Sequence, residues 1–301
     1  MTAKVVECVP NFSEGRRPEV VQAIVGAIAS VAGVHVLDES SDAGHNRTVV
    51  TFLGPPEPVA EAAFLGVAKA VELIDMERHE GGHPRIGAAD VVPFIPVAGV
   101  SMAECVALAE TVGGRIAEEL HVPVYLYEEA AKRPDRRRLE VIRRGQYESL
   151  KVEIAAPERH PDFGLPELHP TAGACVVGAR PPLVAFNVNL ATDDVEVAKR
   201  IAKAVRESSG GLVNVKAVGL AVDDGKIAQV SMNLVNTAKT PIYRAFELIG
   251  VEARRFGVAV RDAEIVGLVP AAALFDVAQF YLSLKGFDPE RQVLERRLVD
   301  S

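Results

Sequence analysis

An order of elements that occurs twice does most to constrain the fold. An apolar run at Val5, Val6, Cys8 and Val9 precedes a helix from Pro18, a residue suited to the first helical position. Val20, Ile24, Ala27, Ile28 and Val31 give that helix one apolar face, and Gly33 stops it. Strands are expected at Val34 to Asp38 and Arg47 to Leu53, a helix over about 56–75, and a strand at VVPFIPV, 91–97. A further helix starts at SMAE, where Ser101 and Glu104 fit a capping box, and the strand VPVYLY follows. The later part repeats the order. LVAFNVNL (183–190) is a strand, a helix spans about 194–207, and two strands meet through Asp223, Asp224 and Gly225, a hairpin signal. Thr240 and Pro241 open a helix closed by Gly257, and EIVGLV (264–269) is a strand. Both halves read β-α-β-β-α-β, so the expected class is α+β with two ferredoxin-like subdomains. Each is expected to be a sheet with helices on one face, over 1–178 and 179–301, with a ligand cleft between them.

Composition narrows the classes. A formal charge of −8 over 301 residues offers no general attraction to nucleic acid or to an anionic membrane. The N-terminus lacks the apolar core of a signal peptide, and no apolar run reaches the roughly 18 residues of a membrane span. Cys8, Cys105 and Cys175 are odd in number and unpaired by spacing, which suits buried thiols in a reducing, cytoplasmic compartment. Between the halves, KRPDRRRLEVIRRGQYESLK is basic against an acidic background. It reads either as a solvated helix face or as an attractor of an acidic small molecule. The proline- and glycine-rich PERHPDFGLPELHPTAGA after it is loop.

The stretch RHEGGHPRIG contains H-E-x-x-H, the zinc-protease spacing, which works only on a helix. Gly81 and Gly82 disfavour a helix there, and Pro84 pushes His83 out of the helical region. No metal is therefore expected. His83 in a glycine-rich loop is a candidate proton carrier, since an unperturbed imidazole titrates near pH 6.5. Asn11 lies in VPNFSEG, where turn chemistry is the plain alternative to a binding role. Arg47, in HNRT, suits either a bidentate carboxylate contact or a surface pair. Asn187 and Asn189 share one strand face, and Asn233 repeats the theme; the partner is a flat hydrogen-bonding ligand or solvent.

Taken together, VECVPNFSEG, HNRTV, LIDMERHEGGHPRIGAADVVPFIPV, PDFGLPELHPTAGACVVGAR, LVAFNVNL and QVSMNLVN resemble the formiminotransferase domain of the glutamate formimidoyltransferases and of the bifunctional formiminotransferase–cyclodeaminases. The likeness runs the length of the chain. It implies transfer of a formimino group from N-formimino-L-glutamate to N5 of tetrahydrofolate, in a homodimer, with tetrahydrofolate as co-substrate and no metal. The family's catalytic histidine falls on His83. Its folate-binding segment falls on Gly164, Leu165, Pro166, Glu167, Leu168, His169, Pro170, Thr171, Ala172 and Gly173, where backbone position rather than side-chain identity carries over. Arg47, Arg85 and the basic run then suit acidic substrates. The chain ends at Ser301, so a separate cyclodeaminase is expected downstream. Two alternatives stay open: formyl transfer between 5-formyltetrahydrofolate and glutamate in the same pocket, and a folate-binding protein without turnover.

Overall fold

The computed structural model describes residues 4–299; residues 1–3 and 300–301, which belong to the terminal stretches read above, lie outside it. The chain divides into two compact units after Arg180, two residues beyond the boundary expected from the sequence.

The first unit runs β1 (Val5–Cys8), β2 (Asn11–Phe12), α1 (Pro18–Ala29), β3 (His35–Asp42), β4 (Arg47–Gly54), α2 (Pro56–Leu73), β5 (Ala89–Ala98), α3 (Met102–Leu120), β6 (Val124–Glu128), α4 (Leu139–Ile142), α5 (Gln146–Glu153) and β7 (Cys175–Ala179). Pro18 does open α1, and Ser101 with Glu104 does close a reciprocal cap on α3. β4 pairs with β3 on one side and with β1 and β2 on the other, and β5 joins β1 and β2, all antiparallel. β7 then lies parallel between β5 and β6.

β7 follows directly on the proline- and glycine-rich loop and is a strand to which the sequence reading assigned no element. ACVVGA is a short apolar run whose five strand residues are all buried, and such runs carry no alternation to betray them. A correction concerns the helices. Residues of α1, α2 and α3 pack with Val50, Phe52, Phe94, Val124 and Leu126 on one face of the sheet. The opposite face, at Val91, Tyr125, Tyr127 and Val176, is covered by Ile142, Leu150 and Ile154. The basic run thus carries its own apolar stripe and closes the second face at that end.

The second unit runs β8 (Val184–Leu190), α6 (Val195–Val205), β9 (Val215–Val222), β10 (Ile227–Leu234), α7 (Ile242–Arg255), β11 (Val260–Val266) and α8 (Ala271–Tyr281). The sheet order is β11-β8-β10-β9, antiparallel throughout. Asp223, Asp224 and Gly225 all take positive φ in the β9–β10 turn, the conformation that hairpin requires. Burial alternates along β8: Val184, Phe186, Val188 and Leu190 face the helices and Asn187 and Asn189 the other way. Among the described residues no helix is long and apolar enough to cross a membrane.

Candidate active site

Three strand ends meet at one end of the first sheet. Phe12 of β2 pairs with Thr48 of β4 and with Ala89 of β5, so the segments leaving or entering these strands converge. Short side chains tie them. Ser13 Oγ donates to the Gly87 carbonyl at 2.7 Å and Thr48 Oγ1 to the Glu14 carbonyl at 2.5 Å. Glu14, 3% exposed, accepts the backbone N–H groups of Gly15, Arg16 and Arg17 and so fixes the turn that leads into α1. The glycines of the loop serve these close approaches. A Cβ on Gly87 would lie 1.9 Å from the Ala174 carbonyl, and one on Gly81 2.3 Å from that of His45. Backbone meets backbone at both positions.

Residues 79–83 form no helix, and the two histidines serve different partners. His79 Nε2 donates to the Asn46 carbonyl at 3.0 Å, and its Nδ1 accepts from Arg85 Nε at 3.2 Å. Asn46 adds a bridge of its own, accepting from Gly15 N and donating to the Glu80 carbonyl, both at 2.9 Å. Arg85 is buried and grips both carboxylate oxygens of Glu148 at 2.6 and 2.9 Å, plus Gln146. Arg85 thus binds the α5 segment to the loop.

His83 is half-buried, and Arg47 Nη1 stands 2.9 Å from its Nε2. Arg47 and Asn11 lie on the sheet face away from α1 to α3, because Asn11 pairs with Val49, two residues from Arg47. The His45 ring is 6.4 Å from that of His83. Burial first, then the charges of Arg47, Arg143 and His45, push the His83 pKa down to about 3, with a hydrogen bond to the Pro84 backbone opposing them. That departs from the near-neutral proton carrier expected from sequence. Burial and the Arg143 charge lower Arg47 as well. Arg143 is anchored by Asp90, which is 1% exposed and also accepts from Ile86 N at 2.8 Å. Among the described residues no group of three or more metal-ligating side chains is found.

The 164–173 loop begins exposed at Gly164 to Glu167, with Leu165 68% exposed, and sinks into the protein at Ala172 and Gly173. His169 closes it on itself. Its Nδ1 accepts from Thr171 N and Ala172 N, and its backbone exchanges two hydrogen bonds with Gly173. Ala88 N donates to the Ala172 carbonyl, joining the base of this loop to the base of the His83 loop.

Residues 5–180 match the formiminotransferase domain, N-terminal subdomain, and residues 185–296 the formiminotransferase domain. The chain belongs to the formiminotransferase family. It is 49% identical over 297 residues to a glutamate formimidoyltransferase of Streptococcus pyogenes, covering 99% of both chains. It is 52% identical to one of Thermoplasma acidophilum, covering 97% of both. A formimidoyltransferase-cyclodeaminase of Gallus gallus is 47% identical over 93% of this chain, which corresponds to 53% of that longer protein.

In this member of the family the remaining candidates divide. Asn11 Nδ2 donates to the Val9 carbonyl at 3.3 Å, within its own turn. Asn187 and Asn189 donate to Glu264 and Asp262 of β11 at 3.0 and 2.6 Å, and Asn233 is exposed on the same face, opposite Ala185. That face also holds Gln229, which donates to Asn189. The residue that sequence reasoning did not single out is Arg143. Its signal was indirect: Asp90 heads an apolar strand, and a buried carboxylate needs a cation.

Proposed function

We propose that this protein transfers the formimino group of N-formimino-L-glutamate to N5 of tetrahydrofolate, giving 5-formiminotetrahydrofolate and L-glutamate. The supporting observation is the end-to-end correspondence with two glutamate formimidoyltransferases. The protonated amidine carbon is the electrophile and N5 the nucleophile. A bond forms between them, the bond from that carbon to the glutamate nitrogen breaks, and no electrons are exchanged with a third party. His83 takes the proton released from N5 and hands it to the glutamate nitrogen, which leaves as a neutral amine. Holding both substrates at one site supplies the proximity advantage.

We assign folate contact to the exposed 164–167 part of the loop. Arg85 is given a supporting role, since its donors are already engaged. The protein is taken to work in the cytoplasm, as its unpaired cysteines suggest, and as a homodimer, as the resemblance implies, with ring closure of the product left to a cyclodeaminase.

A steady-state assay with formiminoglutamate and tetrahydrofolate tests the reading. Turnover is expected, with His83→Ala reducing kcat by about 10²–10⁴-fold while folate affinity changes little. Tight folate binding without turnover, or turnover only with a formyl donor, would replace it.

A further inference from the structure

Arg47 presents a problem of chemistry. A guanidinium carries only donors and keeps its charge. Its 2.9 Å contact with His83 Nε2 therefore makes Nε2 the acceptor. The imidazole is neutral, and the lone pair that would take a substrate proton is occupied. Arg47 makes no ion pair with a carboxylate among the described residues. Asp42 is engaged with His45, and Asp90 with Arg143 and the backbone of Ile86. A half-buried guanidinium left with a neutral partner has its preferred partner, a carboxylate, still to come.

We propose that Arg47 is the receptor for a carboxylate of the amino-acid substrate and, through that contact, the positioning residue that releases His83 as a base. The inference rests on the reading of the protein as a transferase acting on an amino-acid derivative. A carboxylate arriving beside Arg47 draws the guanidinium onto itself and uncovers Nε2. Its negative charge also offsets the positive groups around the imidazole, Arg47 from β4 and Arg143 from the α4–α5 connection. The neighbouring His45, from the β3–β4 turn, is paired with Asp42, and Asp90 already balances Arg143 in part. Both effects favour a proton on His83, and both act only when the donor substrate is present. Without that carboxylate the base stays covered, so a donor lacking it is a poor substrate even where its reacting carbon is identical.

The test follows the His83 ring by NMR in the full-length protein, its resonance assigned by its loss in His83→Gln. Without ligand, no titration of His83 is expected between pH 5 and 8. Saturating L-glutamate should bring a midpoint into that window, and the bis-amide of glutamate should not. In Arg47→Gln the midpoint should rise without ligand, burial and Arg143 still opposing it, and glutamate should move it little. Arg47→Lys, which keeps the charge, should hold it down and serves if Arg47→Gln folds poorly. Kinetically, Arg47→Gln should raise KM for formiminoglutamate by roughly 10–100-fold, the range of one charge-assisted contact, leaving KM for tetrahydrofolate nearly unchanged. An ordinary His83 titration in the free protein, or a glutamate response that is absent or persists in Arg47→Gln, overturns the proposal. If formiminoglutamate is not turned over but the Arg47-dependent response to glutamate remains, the assigned reaction fails and the carboxylate receptor stands.

Discussion

His79 Nε2 lies 3.0 Å from the carbonyl oxygen of Asn46, the residue before Arg47. One loop histidine thus holds the backbone from which the partner of the other is projected. Asn46 takes a positive φ of 49°, a conformation that this contact and the two side-chain bonds of Asn46 help to maintain.

Removing His79 should therefore weaken the fold more than the chemistry. His79→Ala leaves the Asn46 carbonyl and Arg85 Nε without their partner, at a cost of about 1–3 kcal/mol in chemical denaturation. Its kcat should stay within about tenfold of the parent, against the 10²–10⁴-fold loss for His83→Ala. Equal catalytic losses in the two variants would mean that the histidines act together.

Acid should destabilise the protein through its histidines. His83 is held at about 3 when folded, and burial also lowers His79 and His169. In the unfolded chain each titrates near 6.5. As pH falls below that value the unfolded state takes up protons that the folded state refuses, so stability declines on the way towards pH 3. Denaturation midpoints at pH 7.5 and 5 should show this loss, and His83→Gln should show less of it. An unchanged pH slope in the variant would count against the depressed imidazole.

Asp90 and Arg143 form a pair whose carboxylate side chain is 2% exposed. Asp90→Asn keeps an acceptor for Ile86 N but leaves the Arg143 charge uncompensated, at a cost of about 3–5 kcal/mol. Denaturant titration measures it. A loss below about 1 kcal/mol would show that Arg143 finds solvent or another partner easily.

The two glycines of the loop that differ most in surroundings should differ in tolerance. Gly87→Ala places a Cβ against the carbonyls of Ala174 and Ala172, forcing the two loop bases apart, with a loss of about 3 kcal/mol or more. Gly82→Ala meets nothing nearer than 3.6 Å and should be close to neutral in thermal melting. Comparable melting temperatures for both would contradict the close approach.

Local patterns were legible in the chain itself. Pro18 opening α1, the Ser101–Glu104 cap, the Asp223–Gly225 turn and the alternation of Val188 against Asn187 each depend on a few neighbouring residues, and each appears where the sequence placed it. So does the failure of HEGGH to form a helix, which two glycines and a proline decide by backbone preference alone. Tertiary structure decided what depends on partners distant in the chain. β7 forms because β5 and β6 leave a parallel slot for an apolar run that by itself resembles any buried segment. Arg143 joins the site because Asp90, 53 residues earlier, calls for a buried cation. The state of His83 belongs to the same class. Its residue type sets a titration near neutrality, but burial and two arginines brought in from other elements set its actual charge, and electrostatic energy depends on distance in space rather than along the chain.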